Sequence, residues 1–489
     1  MNNDIKKRMK NLIRKNIDKF TIYIFTFYMT LIKNISGFRG TIGGENSENL
    51  TPLDIVYSVS AFSKLIYENN PGLTDIKVMT GRDGRKSGEI IHHIVNSVFA
   101  SMGIDVIDCD ISTTPSLCWG VLNNDCVAGL MITASHNPEQ YNGLKFFNSD
   151  GEFLSKIDVN KLINYSEQKF ISFSTNKDLG KVSKYDNLID DHIDAIINLD
   201  ILPLKEIQSL NLYVIADAIN SGGSIAIPKL LDKLSIKYKI INQEISGSFS
   251  HNPEPLAENL KDLSKMIKKN KADLGIAVDP DVDRLVFFDE NGEILGEENT
   301  QVYCSDFVLS VNKGSTVSTL SSSNSLKDLT ILYDCDYYST PVGEMNVVKK
   351  MKEVNAVVGG EGGGGIIYPD LHYGRDALVG IALFLSLLVK KGSSVSNLKE
   401  NYPKYYMKKL KMSLDNSRLI DQVFEKIINK YSDLSPNTED GVRIDFDNGW
   451  VHMRKSNTEP IVRIFSESDS QIKADKIALK IKNEINSLI

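Results

Sequence analysis

Three stretches of the chain repeat one plan, and a chain built that way has few architectures available to it. A short apolar run leads into a polar or glycine-rich turn and then into a helical pattern: DIKVMTGRDGRKSG into EIIHHIVNSVFASMG, LYVIADAINSGGS into IAIPKLLDKL, and LTILYDCDYYSTPVGE into MNVVKKMKE. Strands alternating with helices of this length predict α/β units with largely parallel sheets. Each unit restarts with a second strand-like run, CVAGLMIT, ADLGIAVD and VNAVVGG, and a loop of unusual composition follows at once. Open α/β sheets place ligands at the carboxyl ends of such strands, so function is expected in those loops.

The last part of the chain differs. GVRIDFDNGWVHMRKSNTEPIVRIFSES reads as three strands joined by turns, with Asp447-Asn448-Gly449 as a hairpin signal, and QIKADKIALKIKNEINSLI reads as an amphipathic helix. That predicts a small α+β domain. At 489 residues the chain is too long for one ordinary core, and several domains are expected. The divisions read as an N-terminal extension over 1–28, a first domain over 29–185, a second over 186–299, a third over 300–405 and a fourth over 406–489, with polar stretches near 166–186 and 391–408 as linkers. A net charge of -7 describes a globular chain without the positive field that nucleic acid requires. Five scattered cysteines form no CxxC pair, which argues against a disulfide framework or a zinc site and fits a reducing cytoplasm.

At the N-terminus, FTIYIFTFYMTLI (20–32) follows a basic stretch and resembles the start of a secretory signal, but it is too short to span a bilayer and no small-residue cleavage site follows. Three readings stand. Met29 is the true initiator and the extension is not part of the fold, or the segment is a peripheral membrane anchor, or it directs export.

Four loops carry the chemistry. The first, TASHNPEQYNGLK (133–145), must hold Ser135 exposed for some purpose, since the strand before it reads as buried on both faces. His136 here reads equally as a turn cap and Lys145 as a surface lysine. The second, AVDPDVDR, sets Asp279, Asp281 and Asp283 two residues apart, an all-oxygen set suited to a hard cation such as Mg²⁺; an ordinary acidic turn is the alternative. In the third, VVGGEGGGG, glycines after Glu361 permit close approach of a ligand and Glu361 could accept bonds from sugar hydroxyls; a flexible linker is the alternative. The fourth, MRKSNTEPIVR, concentrates Arg454, Lys455, Ser456, Asn457, Thr458 and Arg463, as holding a phosphate requires, and reads otherwise as a solvated basic turn. Together these loops suit phosphoryl transfer, which needs mainly positioning and charge neutralisation.

The same residues resemble the α-D-phosphohexomutases, the family of phosphoglucomutase, phosphomannomutase and phosphoglucosamine mutase. TASHNP with NGLK resembles the phosphoserine loop, DPDVDR the metal loop, GEGGGG the sugar loop and RKSNTEPIVR the phosphate loop, while SGFRG (36–40), GRDGRKSG (81–88) and TPVG (340–343) match further landmarks, in order from about Ser36 to the C-terminus. The resemblance implies three related α/β domains with mixed, largely parallel sheets and a C-terminal α+β domain, around a central active-site cleft. It implies that Ser135 carries the phosphoryl group and, through its phosphate, joins Asp279, Asp281 and Asp283 in binding one Mg²⁺. Arg284 and Lys145 would flank the transferring group, with Arg39 and His136 also at active-site positions. Glu361 and Gly363 would contact the sugar, and Arg454, Ser456, Asn457, Thr458 and Arg463 the phosphate not being transferred. A sugar 1,6-bisphosphate is the implied activator, a small phosphosugar the implied substrate, and a monomer or homodimer the expected assembly.

Two departures stand out. The sugar loop of well-known branches carries Ser-Gly-His where this chain has Gly363, Gly364 and Gly365, so the loop histidine is absent, and either His372 replaces it or nothing does. The metal loop reads DPDVDR rather than DGDGDR, with its three carboxylates intact. ITASHNP with YNG resembles the mannose and glucose branch, GLKFFNSDG the glucosamine branch. Conversion of glucosamine 6-phosphate to glucosamine 1-phosphate is the favoured expectation, with phosphomannomutase or phosphoglucomutase next. A catalytically silent phosphosugar-binding protein is the rival from another class; a metal-dependent phosphatase would leave TASHNP and RKSNTEP unexplained.

Overall fold

The computed structural model describes residues 30–413, 417–455 and 461–488. The expected extension over 1–28 lies outside them, as do Ser456, Asn457 and Thr458. Four sheets follow one another along the chain. The first contains β1 (Ile32–Asn34), β2 (Gly37–Thr41), β3 (Lys77–Arg82), β4 (Asp105–Ile111), β5 (Ala128–Ile132), β6 (Tyr141–Phe147) and β7 (Val182–Lys184), in spatial order β1-β2-β6-β5-β3-β4-β7. The second is β8 (Tyr213–Asp217), β9 (Lys237–Ile241), β10 (Leu274–Val278) and β11 (Leu285–Phe288), in order β11-β10-β8-β9. The third is β12 (Thr316–Thr319), β13 (Tyr337–Thr340), β14 (Val358–Glu361) and β15 (Gly365–Ile367), in order β13-β12-β14-β15. The fourth, β16 (Tyr406–Ser413), β17 (Val442–Phe446), β18 (Gly449–Lys455) and β19 (Ile461–Ser468), is antiparallel throughout.

The first three sheets share one device. A parallel strand buried on both faces, β5, β10 or β14, turns straight into an antiparallel neighbour, β6, β11 or β15. The serine, metal and sugar loops are these three turns. β5 and β10 are wholly buried, as near-continuous apolar runs in covered sheets require. Helix Ala377–Lys391 is buried on all sides from Ala377 to Leu388, the mark of an interior helix, and it packs into a core shared with the second domain, where Phe384 stacks on Phe287 at 3.8 Å. Among the described residues no helix is long and apolar enough to cross a membrane.

Three sequence expectations change. LTILY is not the start of a strand: Asn324–Leu332 is a helix, capped by the Ser323 side chain and burying Leu326 and Leu329 on one face, so the strand shrinks to the polar β13. The strand that opens the third domain is instead β12, four residues without a local signal. Nor are the polar stretches simple linkers. Exposed β7 extends the first sheet, and β16, which begins at Tyr406, edges the fourth. Edge strands open to water keep polar composition, and their backbone pairing leaves no apolar pattern to read.

Candidate active site

The serine loop is held from beneath by an arginine. Ser135 adopts φ 49°, a left-handed conformation that a residue with a Cβ pays for. The Thr133 hydroxyl accepts from the Ser135 amide at 2.8 Å and donates to Asp83 at 2.7 Å. The buried Arg85 guanidinium donates to Asp83 at 3.0 Å and to the carbonyls of Ser135 (2.6 Å), Asn137 (2.7 Å), Pro138 (2.8 Å) and Tyr141 (2.9 Å), with Phe249 of the second domain over its plane at 5.0 Å. Only the five-donor fork of arginine serves so many acceptors at once. Arg85→Leu is therefore expected to cost about 3–5 kcal/mol by leaving Asp83 and the carbonyls unpaired. A urea titration of the variant checks this, and Arg85→Lys should recover less than half of the loss.

The metal loop meets that serine across a domain boundary. Asp279 Oδ2 accepts from Ser135 Oγ at 2.7 Å, while its Oδ1 accepts from the amides of Asp283 and Arg284, both at 3.1 Å. Asp281 Oδ2 accepts from Lys145 Nζ and from the Thr114 hydroxyl, each at 2.5 Å; Asp283 Oδ2 accepts from Lys145 at 2.8 Å and from Arg375 at 2.8 Å. Val282 between them is held at φ 63°, a strained value for a β-branched residue. The three carboxylates are buried, and one ligand oxygen of each lies within 4.8 Å of the others. Burial, then repulsion from Asp283 and Asp281, pushes the Asp279 carboxyl well above its usual range. Asp281 Oδ1 and Asp283 Oδ1 are buried with no hydrogen-bond donor. Two orphaned oxygens in a converging all-carboxylate set fit a hard divalent cation.

Cations ring the serine. Burial opposes the charge on Lys145, but Asp281 and Asp283 outweigh it and raise the ammonium above its ordinary value. Lys145 reaches the loop because β6 lies close against the strands around it: a Cβ at Gly143 would stand 2.7 Å from the carbonyl oxygens of both Phe38 and Thr133. His136 Nδ1 lies 3.4 Å from Ser135 Oγ. Burial, then the charges of Arg284 and Arg39, holds this imidazole well below its usual value, hence neutral. Arg39, on β2, is pushed down by burial against the pull of Asp281 and Asp283. Arg284 stands 3.9 Å from Glu254 of the second domain, and the Cβ position of Gly363 faces its guanidinium at 3.6 Å.

The fourth domain docks on the third. Arg443 donates to the Leu320 carbonyl at 2.7 Å, Asp440 accepts from the Val342 amide at 2.9 Å, and Glu467 accepts from the Asn324 amide at 2.9 Å. Arg454 on β18 and Arg463 on β19 are cross-strand partners. Burial lowers the Arg454 guanidinium below its ordinary value, against the pull of Asp440 and with Arg463 adding to the fall.

His372, the candidate for the absent loop histidine, faces Asp376. It is buried at a junction of three domains, where its Nε2 lies 3.4 Å from Asp376 Oδ2. His192 of the second domain approaches the same oxygen at 3.1 Å and meets Ser116 of the first at 3.0 Å. Asp376 meanwhile caps Ala377–Lys391. Four contributors escaped the reading of the sequence. Arg85 sat inside GRDGRKSG and Glu344 directly after TPVG, Arg375 stood downstream of GEGGGG, and Thr114, far from Asp281 in the chain, had no signal at all.

The chain matches four successive family models: phosphoglucomutase/phosphomannomutase α/β/α domain I at residues 31–170, domain II at 190–292, domain III at 296–406 and the C-terminal domain at 410–484. The architecture is that of the α-D-phosphohexomutases. It is 36% identical over 449 residues to a phosphoglucomutase/phosphomannomutase of Thermococcus kodakarensis, covering 89% of this chain and 95% of that one. It is 30% identical over 460 residues to a phosphoglucosamine/phosphogalactosamine mutase of Sulfurisphaera tokodaii, covering 93% and 98%. A solved phosphoglucomutase/phosphomannomutase family protein of Burkholderia thailandensis superposes with a TM-score of 0.80 at 23% identity, covering 94% and 97%. This chain belongs to the phosphoglucomutase/phosphomannomutase family.

Proposed function

We propose that this hexose-phosphate mutase interconverts glucosamine 6-phosphate and glucosamine 1-phosphate through a phosphoserine at Ser135. The observation that carries the reading is the contact of Ser135 Oγ with Asp279 at 2.7 Å across a domain boundary, with Lys145 bridging Asp281 and Asp283 beside it. A sugar hydroxyl oxygen bonds to phosphorus as the bond from phosphorus to Ser135 Oγ breaks. The hydroxyl proton passes to neutral His136, 3.4 Å from Ser135 Oγ, and on to that oxygen as it leaves, and the return transfer moves the proton the other way. The bisphosphate turns over, and its other phosphoryl group returns to Ser135 Oγ. Lys145 and Arg284 neutralise the group in transfer, Glu361 and Gly363 orient the sugar, and Arg454 and Arg463, with Ser456, Asn457 and Thr458, hold the second phosphate. Asp279, Asp281 and Asp283, with the Ser135 phosphate, would hold one Mg²⁺ per chain, which would supply further charge neutralisation. A sugar 1,6-bisphosphate primes the serine. Five free cysteines, four of them buried, suit a reducing cytoplasm, and a monomer or homodimer suffices because every named group lies on one chain.

The Sulfurisphaera tokodaii relative, named for glucosamine and galactosamine phosphates, supports this substrate class. The Thermococcus kodakarensis relative favours the second reading, a phosphoglucomutase/phosphomannomutase. A coupled assay with Mg²⁺ and matching bisphosphates, run on glucosamine, mannose and glucose phosphates, separates the two. Glucosamine phosphate is expected to give the highest kcat/KM. A higher value on mannose or glucose would establish the second reading, and no turnover on any would leave a silent phosphosugar binder.

A further inference from the structure

The sugar loop has no side chain at Gly365, and the structure shows what fills that space. A Cβ on Gly365 would stand 2.3 Å from Cδ and 3.0 Å from Cγ of Arg375, so the arginine stem lies where a residue at 365 would project. Arg375 is placed there by a bridge between its backbone and Ile367 of β15. From that position its three nitrogens each take a different carboxylate. Nε donates to Glu344 at 2.8 Å, Nη2 to Asp283 at 2.8 Å, and Nη1 stands 3.0 Å from Glu361 Oε2. The other Glu361 oxygen accepts from the Gly343 amide at 3.1 Å, so both oxygens are oriented and each keeps acceptor capacity for a ligand hydroxyl.

We propose that Arg375 is the positioning residue that replaces the absent loop histidine: it aims Glu361 at the sugar hydroxyls and ties the sugar loop to the metal loop through Asp283. This rests on the hexose-phosphate reading above. The planar fork matters, because one lysine ammonium at the end of a flexible stem cannot hold three carboxylates in fixed directions. Burying a single cation among three carboxylates is a poor route to stability, whereas it fixes geometry well. Gly365 and Arg375 are thus one unit, and either alone is a misfit.

Kinetics on the hexose phosphate that wild-type enzyme turns over best test the idea with Arg375→Ala, Gly365→His and the double variant. Arg375→Ala is expected to raise KM roughly tenfold or more with a smaller change in kcat, and Arg375→Lys not to restore it. Gly365→His alone clashes with the arginine stem and loses a similar factor. The double variant, with the stem removed and a histidine supplied, is expected to exceed each single variant roughly tenfold in kcat/KM. Mn²⁺ should bind the Arg375→Ala protein at least as tightly as wild type, since the Asp triad persists and Asp283 loses a competing cation; collapse of the site would weaken it together with KM. Should Arg375→Ala not fold, Gly365→Ala gives the same reading, because its methyl displaces the arginine without removing it. Unchanged KM in the single variants, or a double variant no better than either, overturns the proposal. Absence of wild-type turnover would instead overturn the hexose-phosphate reading.

Discussion

Ser135→Ala is expected to lower kcat by at least about 10³-fold while the protein stays folded. In the proposed mechanism this hydroxyl carries the phosphoryl group, and it touches the metal loop through its 2.7 Å contact with Asp279. Nothing else changes: alanine tolerates φ 49° no worse than serine, and the amide contact to Thr133 and the carbonyl contact to Arg85 belong to the backbone. The lost hydrogen bond costs about 1 kcal/mol. Intact mass checks the same point, since wild-type protein treated with bisphosphate should gain one phosphoryl group and the variant none. A variant that keeps a tenth of wild-type turnover would end the phosphoserine mechanism.

Chelation should abolish turnover as completely, with Mg²⁺ or Mn²⁺ restoring it. Three buried carboxylates converge with two oxygens lacking donors, and burial, then repulsion among them, pushes the Asp279 carboxyl well above its usual range. A divalent cation relieves that repulsion. It should therefore raise the thermal midpoint even without substrate, with about 2.7 kcal/mol available at a hundred times the dissociation constant. Asp281→Asn removes one negative charge and leaves Lys145 with Asp283 alone, so the ion should bind roughly tenfold or more weakly and the midpoint shift should shrink. A thermal midpoint indifferent to Mg²⁺, with turnover unaffected by EDTA, would remove the metal from the scheme.

The loops themselves were legible because each is a local pattern. TASHNP, DPDVDR, GEGGGG and RKSNTEPIVR combine residue types whose backbone preferences and charges are readable within ten residues, and the buried strands before the first three announce where they project. Elements that depend on neighbours were not. β12 is four small and β-branched residues between longer helices, and LTILY, with aliphatic residues fit for either structure, became a helix because Leu326 and Leu329 find a core on one face. His372 lay in the right loop by number but turned inward to Asp376.

By itself the sequence determined the class of fold and the order of the four loops, and it marked the serine, carboxylates and lysine as candidates, since periodicity and residue chemistry are readable within short windows. Tertiary structure alone decided what holds them. Arg85 grips carbonyls about fifty residues away, Thr114 caps Asp281 from another domain, and Arg375 occupies the room left by Gly365. Every residue has a carbonyl and many have a carboxylate, so a partner for either leaves no mark in the sequence until the chain folds and brings one donor to it.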